Sequence, residues 1–491
     1  MASATTGAAR SRRPNAAWRA ELRATASLSW PLILTNLAQT GLTTVDVILI
    51  GRLGPEALAA GALATNLYFA VGFLGIGLMS ACAPLIAEAL GRKLHAVREV
   101  RRTVRQGLWS ALAVSVPVGA VLWHGEPVLR ALGQDPALAA AAGPYLRALI
   151  WGLPFFLGFG VLRFFLSALE RPGWGLAVGV AAIPLNAALA YGLIHGVGGL
   201  PRLGLVGAGV ATSATSLAMF GALAAVLLSD RKLRRYRLFG RWWRPDWPRF
   251  RRLWVLGVPV AATLAFEVGV FNAAALVMGS FGAVALAAHA VAIQIAGTAF
   301  MVPLGLAQAA SVRVGLAYGA EDRDGVRRAG EVALALVVGF MIVTGALLFL
   351  APATLAAIFV DVRDPASAGV VELAVTLLLF AAVFQMADGL QAVGSGLLRG
   401  LQDTRVPMLF AALGYWGIGA SLGLGLAFGA GLGPPGIWVG LAAGLAVVAV
   451  LMLGRWSRRD GLGLLNPSLA SELTVGGART FPRGAERENV S

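Results

Sequence analysis

The amino-acid sequence predicts an all-α polytopic membrane protein with twelve transmembrane helices in two parallel six-helix lobes with pseudo-two-fold symmetry. Of its 491 residues, 58% are hydrophobic and only 13% are charged, which excludes an ordinary soluble globule and a disordered chain. Apolar stretches of about 20 residues, the length that crosses a bilayer, recur along the chain. The second half also repeats features of the first, as transporters often do.

The apolar stretches are separated by short connections that are polar or marked by glycine and proline. The twelve predicted spans are 28–50, 57–89, 103–123, 138–168, 174–195, 204–228, 253–279, 284–317, 330–350, 367–397, 406–429 and 434–454. The single cysteine, Cys82, excludes a disulfide framework within the chain.

The spans divide the chain into five segments. These are a cytoplasmic N-terminal tail (1–27), an N-terminal lobe (28–228), a basic cytoplasmic linker (229–252), a C-terminal lobe (253–454) and a cytoplasmic tail (455–491) that we expect to be disordered. The linker holds Trp242, Trp243 and Trp247, a residue type that anchors chains at the membrane interface.

Arginine and lysine residues concentrate on one side of the predicted bilayer. If the N-terminus is cytoplasmic, the inner connections hold Arg12, Arg13, Arg19, Arg23, Arg92, Lys93, Arg98, Arg101, Arg102, the basic block 231–252, Arg323, Arg327, Arg328, Arg405, Arg455, Arg458 and Arg459. The outer connections hold Arg52, Arg130, Arg202 and Arg363. This bias predicts that both termini are cytoplasmic in a bacterial cell membrane, and it accounts for the net charge of +16 without nucleic-acid binding.

The internal repeat appears when the second half is laid on the first with an offset of 228 residues. The matches are Pro31 with Pro259, Gly51 with Gly279, Gly54 with Gly282, the ALAA run 57–60 with 285–288, and Gly91 with Gly319. Each repeat holds six spans, an even number, so both begin on the same side of the membrane. We therefore expect a substrate cavity where the two lobes face each other.

Three acidic residues lie deep within predicted spans: Asp46 in the first, Glu267 in the seventh and Asp388 in the tenth. A charged carboxylate at the centre of a bilayer costs roughly 2.5–3.5 kcal/mol even on a lenient scale. Each acid should therefore face a wet cavity, bind a cation or hold a proton.

Helical periodicity places Asp46 on a polar stripe with Asn36, Gln39 and Thr43. This stripe indicates a polar cavity in the first lobe, the alternative being hydrogen bonds that only hold helices together. Asn186 in the fifth span and Thr212 in the sixth could join Asp46, or could serve helix packing.

The second lobe has two acids that each share a helix face with a polar residue. Glu267 lies one turn from Thr263, and Asp388 lies one turn from Gln385. We expect the two acids to form one Na⁺ or H⁺ site. His289 is a weaker candidate, because an interior histidine more often has a structural role than a part in proton transfer.

The sequence lacks a Walker A motif, a histidine and cysteine cluster of zinc spacing and a catalytic serine motif, so we predict neither an enzyme nor a bound cofactor. The expected partners are small organic substrates and the lipid bilayer, and we expect a monomer. A structural or signalling membrane protein is an alternative, but it would leave the intramembrane acids unexplained.

Three segments resemble the multidrug and toxic compound extrusion (MATE) transporters. They are PLILTNLAQTGLTTVDVILIGRLG from Pro31, the segment from Pro259 to Gly319 that contains TLAFEVGVF and ALAAHAVAIQ, and QMADGLQAVGSGLLRGLQDT from Gln385. The resemblance covers residues 25–455, and the joint presence of Glu267 and Asp388 is similar to the NorM-like branch.

This resemblance implies a cation-coupled antiporter that expels organic, often cationic compounds by alternating access. It implies that Asp46 binds a proton or cation in the first lobe and that Glu267 and Asp388 bind the coupling ion in the second. Related first-lobe sites often carry two polar residues four apart in the fifth span, whereas Asn186 has Ala182 and Ala190 at that spacing. A lipid-linked or natural-product exporter of the wider superfamily is an alternative, disfavoured because such cavities usually carry several cations.

Overall fold

A computed structural model of the chain describes residues 14–240, 243–361 and 364–465, and the fold of these residues is all-helical, as predicted. Arg12, Arg13, Trp242, Arg363 and most of the predicted C-terminal tail lie outside the described residues.

Among the described residues, the first lobe consists of nine helices, and a short tenth helix follows in the linker. They are α1 (Pro14–Gly51), α2 (Pro55–Ser80), α3 (Cys82–Arg92), α4 (Ala96–Trp123), α5 (Gly125–Ala131), α6 (Pro136–Ile150), α7 (Leu153–Ala168), α8 (Gly173–His195), α9 (Leu205–Ser229) and the short α10 (Arg231–Arg234).

The second lobe has fewer breaks. Its α-helices are α11 (Trp247–Ser280), α12 (Ala283–Gly319), α13 (Arg323–Leu350), α14 (Pro352–Ala356), α15 (Ala368–Gly400), α16 (Arg405–Ala411), α17 (Ser421–Leu424) and α18 (Pro434–Ser457). A 3₁₀ turn at Pro365–Ser367 precedes α15, and π-helical segments at Ala412–Ala420 and Gly425–Gly429 flank α17.

Among the described residues, eleven helices are long and apolar enough to cross a membrane, and the bent pair α6 and α7 gives a twelfth span. This pair is the predicted span 138–168, which bends by 48° instead of running straight. Gly152 lies at the bend, where its amide donates to the Ser213 hydroxyl at 3.0 Å. A Cβ on Gly152 would lie 2.7 Å from the Ser213 Cα, so only glycine allows this close approach of α9.

The first helix is longer than the predicted first span. Residues 14–27, which the sequence analysis assigned to the tail, form the beginning of α1. Their charged residues lower the local hydropathy, but Glu21 is 8% exposed and pairs with Arg313 of the other lobe at 2.6 Å. Similarly, residues 247–252 of the predicted linker already belong to α11.

Two hydrophobic clusters form the core, and the lobes meet at one side of the membrane. One cluster lies mainly in the first lobe but includes Leu253, Ala309 and Val312 of the second, and the other cluster lies in the second lobe. We call the side that carries loops 93–95, 169–172, 320–322 and 401–404 the basic face. The linker is fastened there on α4, because Arg101 donates to the Tyr236 carbonyl at 2.6 Å and Arg105 donates to the Leu238 carbonyl at 2.8 Å.

Glycines that are repeat mates allow the lobes to touch near the basic face. Gly91 of α3 faces the Leu316 carbonyl, and its mate Gly319 of α12 faces the Glu88 carbonyl, so closely that a Cβ on either glycine would overlap that oxygen. Glu88 and Leu316 are also 228 residues apart, as are Gly91 and Gly319 (319 − 91 = 228). The pseudo-two-fold axis therefore passes through this contact, which we call the glycine seal.

Ion pairs bridge the lobes around the glycine seal. Glu88 accepts hydrogen bonds from Arg252 at 2.9 Å and from Gln402 at 2.5 Å, both of the second lobe. Arg313 of the second lobe pairs with both Glu21 and Glu170 of the first. The structure is thus closed between the lobes on the basic face.

We expect Gly319→Ala to open the glycine seal, because its Cβ would overlap the Glu88 carbonyl. Spin labels on Leu94→Cys and Asp324→Cys, which lie on opposite lobes at the basic face, should move apart in double electron–electron resonance. Gly297→Ala is the matched control on the same helix, where the Cβ meets no atom within 4 Å. Identical distance distributions for Gly319→Ala and the parent would contradict this account of the seal.

Candidate functional site

Asp46 lies where α1, α8 and α9 meet in the first lobe. The Asn186 amide donates to Asp46 Oδ1 at 2.6 Å, and the Thr212 hydroxyl donates to Oδ2 at 3.0 Å. Thr215 donates to the amide oxygen of Asn186 at 3.0 Å, which orients the amide toward the carboxylate. The structure therefore brings together the three residues that the sequence analysis grouped as candidates for one site.

Only one polar residue of α8 serves this first-lobe site. Ala182 and Ala190, one turn on either side of Asn186, are buried and offer no oxygen. Tyr145 of α6 is an additional neighbour that the sequence analysis did not identify: it interacts electrostatically with Asp46, and its side chain hydrogen-bonds Thr65. A tyrosine in an apolar span gives no sequence signal that separates this role from packing.

The polar stripe of α1 serves two places instead of one. Asn36 is ten residues, or about 15 Å along the helix, from Asp46. Its side-chain oxygen accepts a 3.4 Å hydrogen bond from Arg163 of α7, and Gln39 lines a small cavity beside the same arginine. Thr43 donates to the Gln39 carbonyl at 3.3 Å, a bond within α1.

Glu267 of α11 and Asp388 of α15 lie in the second lobe, close enough to interact electrostatically. The Gln391 amide donates to Glu267 Oε2 at 3.3 Å and also contacts the Tyr415 hydroxyl of the first π-helical segment. Asp388 is 7% exposed, and its Oδ1 has no hydrogen-bond partner. Glu267 is half-buried, so the site combines one buried and one half-buried carboxyl group, and one of their oxygens has no donor.

Basic side chains do not neutralise these acids at close range. Within the described ranges, no arginine or lysine lies within 4 Å of Glu267 or Asp388. Arg399 attracts Glu267 from a longer distance, and its own guanidinium is within 3.4 Å of the Ser80 hydroxyl in the other lobe.

The other second-lobe candidates occupy different positions. Thr263 donates to the Pro259 carbonyl within α11 at 2.9 Å, and Gln385 accepts from Thr344 of α13 at 3.3 Å. His289 is buried against Trp438, with ring centroids 5.7 Å apart, in an aromatic cluster that continues through Phe384. The structure thus places Gln385 one turn from Asp388 and His289 among aromatic rings.

The pair Glu267 and Asp388 offers the ligand chemistry of a site for a small cation or a proton. Carboxylate, amide and phenol oxygens are hard ligands of the kind that Na⁺ prefers, and two neighbouring carboxyl groups favour sharing one positive charge. Gln391 and Tyr415 were not singled out in the sequence, because their approach to Glu267 depends on how α11, α15 and a π-helical segment pack.

The chain combines a two-lobed helical fold with carboxyl groups inside the spans of both lobes, which defines a polytopic transporter. The sequence model of the MatE family matches residues 31–192 and 259–424, so it matches twice with starts 228 residues apart (259 − 31 = 228). The chain belongs to the MATE family of transporters, and it is not an enzyme.

Similar curated proteins extend over most of this chain. A protein of Mesorhizobium japonicum called probable multidrug resistance protein NorM is 56% identical over 449 residues, covering 91% of this chain and 96% of its own. A protein of the same description from Brucella suis is 52% identical, covering 90% of this chain and 94% of its own. The multidrug resistance protein NorM of Burkholderia vietnamiensis is 44% identical, covering 88% and 93%.

Solved structures share the fold at lower identity. A crystal structure of a eukaryotic MATE transporter superposes with a TM-score of 0.82 at 21% identity, covering 93% of this chain and 99% of its own. A multidrug resistance MATE transporter described as outward-facing gives a TM-score of 0.79 at 21% identity, covering 90% of this chain and 96% of its own.

We expect Thr212→Val to destabilise the first lobe, because the variant keeps the shape of the side chain but removes a donor to Asp46. A hydrogen bond to a charged group contributes about 1.5–3 kcal/mol, so thermal unfolding in detergent should occur at a lower temperature. Thr212→Ser should restore the parent midpoint. Thr43→Val is the control, since that hydroxyl bonds only within its own helix; equal losses for Thr43→Val and Thr212→Val would count against the Asp46 contact.

Proposed function

We propose that this protein is a multidrug efflux antiporter, which exchanges inward Na⁺ or H⁺ for outward organic, often cationic compounds by alternating access between its two lobes. The observation that carries the proposal is the pair of buried Asp388 and half-buried Glu267, which has no basic residue within 4 Å in the described part of the chain. The relatives named as multidrug resistance proteins support the same substrate class.

Glu267 and Asp388 couple the inward flux of the ion to the outward flux of the substrate through the charge of their site. Binding of one Na⁺ or H⁺ removes one negative charge from the second-lobe site, whereas the empty site carries the charge of both carboxylates, which a cationic substrate can compensate in part. Asp46, held by Asn186 and Thr212, provides a second titratable position in the first lobe. The two positions let ion and substrate occupy the cavity alternately.

The driving force is adequate for efflux. One proton that enters down about one pH unit and about 100 mV supplies roughly 1.4 plus 2.3 kcal/mol. At one-to-one exchange this concentrates a neutral solute several hundredfold. An exchange for a monovalent cation is electroneutral and uses the ion gradient alone.

The proposal includes an orientation and a transport unit. The basic face and both termini lie in the cytoplasm of a bacterial cell, because basic loops stay on the inner side of the cell membrane. The glycine seal then closes the cavity toward the cytoplasm. Both candidate ion sites belong to one chain, so a monomer is the transport unit.

Ethidium uptake into everted vesicles, with the Na⁺ and H⁺ gradients collapsed separately, tests this function. We expect Glu267→Gln and Asp388→Asn to lose at least about tenfold in coupled efflux, because a lost ion contact of 1.4 kcal/mol already corresponds to that factor. Glu372→Gln is the matched control, since Glu372 lies on α15 with Asp388 but is exposed.

Parent-like pumping by both variants, at normal levels in the membrane, would refute the role of the carboxyl pair. Asp388→Asn should remove the dependence on whichever gradient drives transport. Coupling retained in Asp388→Asn but lost in Asp46→Asn would move the principal ion site to the first lobe.

A further inference from the structure

Arg163 is a buried cation without a counter-ion in the first lobe. It lies on α7 with 5% of its surface exposed, and no carboxylate among the described residues comes within 4 Å of its guanidinium. A guanidinium keeps its proton in proteins, so it remains charged in this apolar setting. An uncompensated buried charge costs several kcal/mol, so we expect Arg163 to have a negatively charged partner.

Packing fixes the side chain of Arg163, which borders a cavity. Its aliphatic stem lies against Gly175 of α8, where a Cβ would be 3.3 Å from Arg163 Cγ. The head reaches Asn36 of α1, whose Oδ1 accepts from Nη1 at 3.4 Å. A small cavity beside Arg163 is lined by Gln39, Phe156 and Met79, among others.

Two donors at this place lack acceptors. Arg163 Nε and Asn36 Nδ2 are both buried and have no hydrogen-bond partner. Asn36 is also 5% exposed, so both side chains are more than nine-tenths buried. Unpaired donors and an unbalanced positive charge share one chemical requirement, an acceptor that carries negative charge.

We propose that Arg163 and Asn36 form a site for a monovalent anion, occupied by chloride or by the carboxylate of an organic substrate. A water molecule would satisfy the donors but would leave the charge uncompensated, whereas an anion satisfies both. The site is distinct from the Asp46 site, because Asn36 and Asp46 are ten residues apart on α1. A substrate carboxylate here would deepen the proposed efflux function, but anion binding does not depend on that function.

The test measures thermal unfolding of the purified full-length protein in detergent, with sodium chloride replaced by sodium gluconate at constant Na⁺. We expect chloride to raise the midpoint by about 1–3 °C, because a ligand that binds only the folded state stabilises it. Benzoate and its neutral methyl ester, added to the gluconate buffer, distinguish a substrate carboxylate from a free halide. Stabilisation by benzoate alone assigns the site to a carboxylate group, and stabilisation by chloride assigns it to the free ion.

Two variants remove the need for a bound anion at Arg163 in different ways. Arg163→Gln deletes the charge, and Asn36→Asp supplies an internal carboxylate while keeping the arginine, so both should lose the anion effect. Arg147→Gln, an exposed arginine on α6, should keep it. The proposal is overturned if neither anion stabilises the parent, if methyl benzoate stabilises as well as benzoate, or if Asn36→Asp still responds. Since no transport is measured, failed ethidium efflux would leave this result intact.

Discussion

The structure depends on one constraint: a charge inside the hydrocarbon core must have a partner, a proton or an ion. At the basic face the constraint is met between side chains, where Glu88 pairs with Arg252 and Glu21 with Arg313. In the second lobe it is not met by the described residues alone, because neither Glu267 nor Asp388 has a basic partner within 4 Å. This difference separates groups that hold the lobes together from groups that are available to a transported ion.

The internal repeat determines where the two lobes touch. Repeat mates Gly91 and Gly319 bring the lobes into backbone contact near the basic face, on the pseudo-two-fold axis. The residues that precede α2 and α12, Gly54 and Gly282, are also repeat mates and share positive φ angles of 114° and 103°. Two similar lobes that touch at an axis can rock against each other with little internal change, which is the movement that alternating access requires.

Hydropathy was sufficient to predict the helices, because each span must satisfy its own backbone in lipid. It was not sufficient for details that depend on neighbouring helices. The bend at Gly152 arises from the approach of Ser213, and the length of α1 arises from a pair between Glu21 and a residue almost three hundred positions away. The polarity of the residues around Gly152 does not reveal the bend, and the charges at the start of α1 do not reveal its true length.

In the candidate sites, too, some residues were predictable from the sequence and others depend on how the helices pack. Hydropathy identified Asp46, Glu267 and Asp388, because each is an acidic residue inside an apolar span. Partners on other helices depend on tertiary packing: Asn186 and Thr212 were named as candidates, whereas Gln391 and Tyr415 were not. Arg163 was missed although it interrupts an apolar run, because it lies five residues from the end of α7 and resembles an interfacial residue. Its burial between α1 and α8 is visible only in the fold.

The most direct measurement of the central claim is ion release on substrate binding by the purified protein. Equilibrium dialysis with radioactive sodium, together with proton release in weakly buffered solution, would follow both candidate ions while ethidium is added. Exchange through the carboxyl groups predicts that ethidium displaces Na⁺ or H⁺ from the parent and displaces neither from a protein that lacks both second-lobe acids. Ethidium binding to the parent without loss of either ion would contradict the account.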